Sequence, residues 1–128
     1  MMPVFKKIIL FTDKDGFARF KEEDIHLDHG NERSQLSPWL PASALQLRHS
    51  PVGFQSDFHC TEKPQWLFVL QGMMEIGLRD GSTRRFGPGD HFYSADTLPE
   101  NTAFDSNIHG HCSRLIGNTP LITAFIQD

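Results

Sequence analysis

Cysteine is scarce in this chain, with Cys60 and Cys112 the only two. A single pair cannot frame a disulfide scaffold, and its spacing is not that of a zinc finger. Positive charge is not in excess either: 12 Lys and Arg stand against 16 Asp and Glu, for a formal net charge of −4. That balance excludes the basic footprint of a nucleic-acid-binding surface, and Arg84-Arg85 alone is too short to make one. Long apolar runs are missing as well. The N-terminal MMPVFKKIILF carries two lysines and is too short for a signal peptide or a membrane span. The expectation is a cytoplasmic protein with reduced thiols and no membrane or nucleic-acid partner. No segment sustains helical periodicity over a useful length, and there is no internal repeat or low-complexity tract.

What the chain does contain is a succession of short β-type segments. Its 128 residues suit one domain, 1–128, large enough to bury a core without staples. Phe5–Thr12 is apolar and β-branched and ends at the turn residues Asp13-Lys14-Asp15-Gly16. Phe17–Ile25 reads as a charged returning strand at a sheet edge. His26–Pro41 is polar and reads as a long loop. Strands are further expected over Ala42–His49, Gln55–Cys60, Gln65–Leu70 and Met73–Leu78. Asp80-Gly81 then favours a two-residue type I′ hairpin leading into Thr83–Phe86. Gly87-Pro88-Gly89-Asp90 has Pro and Gly at the centre of a type II turn. His91–Ser94, His109–Ile116 and Pro120–Gln127 complete the set, with a loop over Ala95–Ile108. Many short strands punctuated by Gly, Pro and Asp mean an all-β sandwich or barrel.

The chemistry concentrates in Gly53–Gly72, GFQSDFHCTEKPQWLFVLQG, and in His109-Gly110-His111. Strand parity sets His59, Thr61 and Asp57 on one face and Cys60 on the other. His109 and His111 share a face by the same rule, and Cys112 opposes them. The two thiols are therefore expected to be buried and inert. No Ser-His-Asp order or activated-cysteine context appears, which disfavours nucleophilic catalysis. His26, His29, His49 and His91 read as surface or loop residues. Arg48 has two readings: it enters the interior to hold a carboxylate, or it is a solvated edge residue. In Gln65–Leu70 both faces are largely apolar, so one fills the interior and the other needs cover from a sheet or a subunit.

The pattern Gly53-x5-His59-x-Thr61-x3-Gln65-x6-Gly72 resembles the first cupin motif. Gly81-x6-Pro88-Gly89-Asp90 with His111 resembles the second, and Gly110, His111, Ser113 and Arg114 match a branch ending in Gly-His-x-Ser/Thr-Arg. The resemblance spans nearly the whole chain. It implies a jelly-roll β-barrel, a homodimer formed by packing sheets, and a divalent ion (Zn, Fe, Mn or Ni) held inside the barrel. Carried onto this sequence, the metal ligands are His59 and His111; His109, on the His111 face by strand parity, is a compensating third, and Gln65 a weak or water-mediated fourth group. Thr61, Asp57 and Arg48 would contact substrate. The chain departs from the usual pattern in two places. Thr61 stands where a second histidine is usual and Gln65 where a glutamate is usual, which leaves a bound cation's charge uncompensated.

Two functions are compatible with these residues. One is a metal-dependent dioxygenase, isomerase or lyase acting on a small polar or acidic metabolite. The other is a non-catalytic module that binds or senses a small ligand without metal. For His59 and His111 the alternative to metal or substrate contact is a hydrogen-bonded pair of core histidines.

Overall fold

The computed structural model describes residues 3–128, so Met1 and Met2 of the N-terminal stretch lie outside the described residues. Eleven strands follow in order: β1 Val4–Thr12, β2 Ala18–His26, β3 His29–Asn31, β4 Ser34–Leu36, β5 Ala44–Ser50 and β6 Gln65–Gln71. They continue as β7 Met73–Gly77, β8 Thr83–Phe86, β9 His91–Ala95, β10 Cys112–Ile116 and β11 Leu121–Gln127. Among the described residues no helix is long and apolar enough to cross a membrane.

A six-stranded sheet runs β2-β1-β9-β6-β11-β5, and a three-stranded sheet runs β10-β7-β8. All ladders are antiparallel except β1 with β9, which is parallel. The period-two alternation of each strand sorts its side chains. Leu67 and Val69 of β6, Phe92 of β9, Met74 and Ile76 of β7 and Leu115 of β10 meet in one buried core between the sheets. Trp66 and Phe68 take the other face of β6, where their rings stack at 5.6 Å. Burial of such side chains, at roughly 1.5–3 kcal/mol each, is the main force closing the two sheets.

Three local expectations are corrected. Within His26–Pro41 the chain forms the β3–β4 hairpin, with His29 opposite Leu36. Gln55–Cys60 is not a strand: only the single bridges Gln55–Arg114 and His59–His111 tie it to the barrel. The Asp80-Gly81 hairpin is present, but not as a type I′ turn. Gly81 N donates to Leu78 O and Leu78 N to Ser82 O, with Gly81 alone at positive φ (+86°). This is a three-residue connection closed by a glycine bulge, in which Asp80 keeps ordinary φ and accepts from Ser82 N and Oγ. The second turn is as expected, with Asp90 N donating to Gly87 O and Gly89 at φ +90°.

Candidate functional site

Between the sheets lies a cavity of about 440 Å³, within the usual range for metabolite sites. Its floor is apolar (Leu67, Met74, Ile76, Phe92, Leu121), and its walls carry polar groups from both sheets. β5 and β11 supply Arg48, Ser50 and Thr123; β6 and β9 supply Gln65 and Ser94; the Gly53–Thr61 segment and the start of β10 supply His59, Thr61 and His111.

The two histidines are joined by reciprocal backbone bonds, His59 N to His111 O at 2.9 Å and His111 N to His59 O at 3.0 Å. Their rings lie 4.7 Å apart. Gly110 permits this approach. It sits at φ +90°, and a Cβ there would come within 2.7 Å of His59 O. Both Nδ1 atoms are engaged. That of His59, at the exposed rim, donates to Asp57 O at 2.9 Å. That of His111, which is buried, lies 2.7 Å from Asp96 Oδ2. An ionised carboxylate only accepts, so Nδ1 of His111 donates to Asp96. Among the described residues Nε2 of His111 has no protein partner, and no buried polar side-chain atom is left unsatisfied, so this nitrogen retains solvent contact.

Asp96 is the organising residue that the sequence did not point to. Its side chain is wholly buried, and its other oxygen accepts from Thr12 Oγ1 at 2.6 Å. Its backbone oxygen accepts from Thr61 N at 2.8 Å. In the chain it is one polar residue in a polar loop, with no local signal; the pairing of β9 with β1 brings it to Thr12, and the Thr61–Asp96 and His59–His111 backbone bonds bring it to His111. Thr61 Oγ1 is bonded to Ser94 Oγ at 2.6 Å, which ties the first-motif segment to β9.

Other sequence-derived candidates fall differently. Arg48 is on the cavity wall, its guanidinium 4.2 Å from the Phe125 ring centroid. His109 is not on that wall. The segment before Cys112 is not extended: Gly110 turns the backbone, so the parity that paired His109 with His111 does not hold. His109 is buried beside Phe104, and its Nδ1 accepts from Asp105 N at 2.9 Å. Asp57 likewise does not line the cavity, because the irregular backbone before His59 breaks the alternation. For the same reason Cys60 reaches the cavity wall instead of facing away. Burial, with a smaller push from the Asp96 charge, raises its thiol to about 11, so it stands protonated. His91 is half-buried on the outer face of the large sheet, against Phe5 and Trp66.

The fold is an all-β barrel of two facing sheets, with the Gly53–Thr61 segment and His111 meeting at one end of the cavity. No protein-family model matches the chain, and no curated protein matches it. Among solved structures it is similar to the cupin domain of Schizosaccharomyces pombe Cnp3, at 15% identity and a TM-score of 0.44, over 98% of this chain and 84% of that one. One fold hosts unrelated activities, so function has to be argued from the cavity.

For a resident divalent ion the donor set is short. No cluster of three His, Cys, Asp or Glu side chains suited to a metal occurs among the described residues. His59 and His111 offer two imidazoles, Gln65 adds only an amide, and the Asp96 carboxylate is spent on His111 and Thr12. Catalytic zinc sites use three protein ligands, and these residues do not supply them.

Proposed function

We propose that this protein is a cupin-fold binder of a small amphipathic molecule, taken up in the barrel cavity against His111. The observation that carries this reading is the buried Asp96–His111 pair. It orients the imidazole and leaves Nε2, which has no protein partner, open to a ligand. A buried polar group needs a partner from the protein, from water or from a ligand. The cavity's apolar floor and polar walls support a ligand with an apolar body and a few polar groups.

A second reading follows from the same pair: a proton-transfer enzyme, such as an isomerase or lyase, in which His111 Nε2 is the base. Carboxylate-oriented imidazoles serve that role in unrelated enzymes. Metal binding through His59, His111 and Gln65 is the weaker reading, for want of a third strong ligand.

The exposed apolar residues of the large sheet, Leu45 and Leu47 of β5 and Leu70 of β6, support a homodimer formed on that face. The free thiols Cys60 and Cys112 suit a cytoplasmic setting.

A thermal-shift screen with a library of small metabolites tests the principal reading, since a ligand bound only by the folded state raises the melting temperature. Hits are expected to shift the amide resonances of Ser94, His111 and Thr123. Hits that shift only residues outside the barrel, or a library without hits, would overturn it.

A further inference from the structure

Resting on the proposal that the barrel binds a small amphipathic molecule, we infer that the ligand is a monocarboxylate with an apolar body, anchored by Arg48. The cavity inverts the charge of the protein. The chain carries a formal net charge of −4, yet the ordinarily charged residues on the cavity wall are Arg48, Lys63 and Glu62. Two cations stand there against one anion, so the wall itself is not acidic; the Asp96 carboxylate lies behind His111, paired with it.

Arg48 is the group set up to hold an anion. Arg19, Arg84, Arg85 and Arg114 each pair with a carboxylate, Arg79 donates to His109 O, and Arg33 is outside the cavity, so Arg48 is the arginine on the cavity wall. Arg48 meets no carboxylate among the described residues; its one side-chain hydrogen bond is to the neutral Gln46 Oε1 at 3.2 Å. It stands opposite Thr123 in the β5–β11 ladder, on the cavity face of the sheet. The Phe125 ring beneath the guanidinium limits its freedom and leaves its N–H edges available. A planar fork held in this way suits the two oxygens of a carboxylate.

Apolar side chains continue from this point. Phe54, Phe125 and Leu121 line the same cavity, together with Leu67 and Phe92. A carboxylate on Arg48 therefore directs the rest of the ligand over an apolar floor. His111, on the β10 side of the cavity, then meets a second polar group of the ligand. A dianionic phosphate ester is less well matched, because the single guanidinium of Arg48 would leave it under-compensated.

The experiment is calorimetric titration with 3-phenylpropanoate, its neutral amide 3-phenylpropanamide, and phenyl phosphate, each followed by amide NMR to locate the binding. The carboxylate is expected to bind in the cavity at least tenfold more tightly than the amide. Arg48→Met should abolish that preference and Arg48→Lys should restore part of it, whereas Arg33→Met, exposed and outside the cavity, should leave it intact. Arg48 is exposed, so these variants are expected to fold. Equal affinity for carboxylate and amide inside the cavity would overturn the anionic class and leave the small-molecule reading standing. Tighter binding of phenyl phosphate, or a preference that survives Arg48→Met, would also overturn it. Failure of all three probes to enter the cavity would overturn both readings together.

Discussion

His111 Nδ1 stands 2.7 Å from Asp96 Oδ2, and both side chains are withdrawn from solvent. This contact joins the start of β10 to the loop after β9, and through Thr12 to the end of β1. It therefore positions the imidazole and also ties the two sheets together at the cavity.

Replacing Asp96 by Asn keeps the shape but removes the charge-assisted bond to His111. Asp96→Asn should lower stability by about 1–3 kcal/mol, the usual cost of spoiling a buried hydrogen bond to a charged group. Urea unfolding measures the loss. Nitrogen-15 shifts of His111 in Asp96→Ala, which leaves Nδ1 without this acceptor, should show Nδ1 no longer held as the protonated nitrogen. An unchanged tautomer would mean that Asp96 does not orient the ring.

Gly110 is the hinge on which the two histidines meet. A Cβ at this position would strike His59 O at 2.7 Å while the backbone sits at φ +90°. Gly110→Ala should cost about 1–3 kcal/mol from backbone strain alone. It should also break the reciprocal His59–His111 backbone bonds, seen as faster hydrogen exchange at both amides. Retention of slow exchange would show that the segment can absorb the methyl group.

On the outer face, burial holds the His91 imidazole below its ordinary range, with Arg84 and Lys7 adding to the effect and Asp90 opposing it. Its Nε2 accepts a hydrogen bond from Ile8 N at 3.1 Å, which a proton there would break. The unfolded chain takes up that proton near pH ~6.5, before the folded chain does. Stability from this site is therefore full above ~6.5 and falls as pH drops toward the depressed folded value. Melting curves between pH 5 and 8 should show a steeper acid-side loss in the wild type than in His91→Gln. Parallel curves would assign the acid sensitivity to other groups.

Metal affinity should be recoverable by design. Thr61 and Gln65 both line the cavity with His59 and His111. Thr61→His with Gln65→Glu adds an imidazole and a carboxylate, giving a set of four ligands with a negative charge. Zinc titration should find at least tenfold tighter binding in the double variant than in the wild type, and His59→Ala in that background should remove the gain. Equal affinity in all three proteins would locate any ion elsewhere.

Local chemistry in the sequence determined much of this architecture. The alternation in Gln65–Leu70 separates Leu67 and Val69 from Trp66 and Phe68, because side-chain direction along a strand depends only on position parity. Pro88-Gly89 determines its turn for a similarly local reason: one residue presets φ and the other accepts a positive value. Motif spacing brought His59 and His111 to one cavity. Parity failed where the backbone left the extended conformation, at Asp57 and Cys60 and at His109 before the turn of Gly110. Asp96 was beyond reach for a different reason. Its partners Thr12 and His111 lie far from it along the chain, and only the pairing of β1 with β9 and the closing of the two sheets bring the three together. A lone carboxylate in a polar loop has no periodicity to reveal that it will be buried. Its role was decided by which groups the tertiary fold left within hydrogen-bonding distance of it.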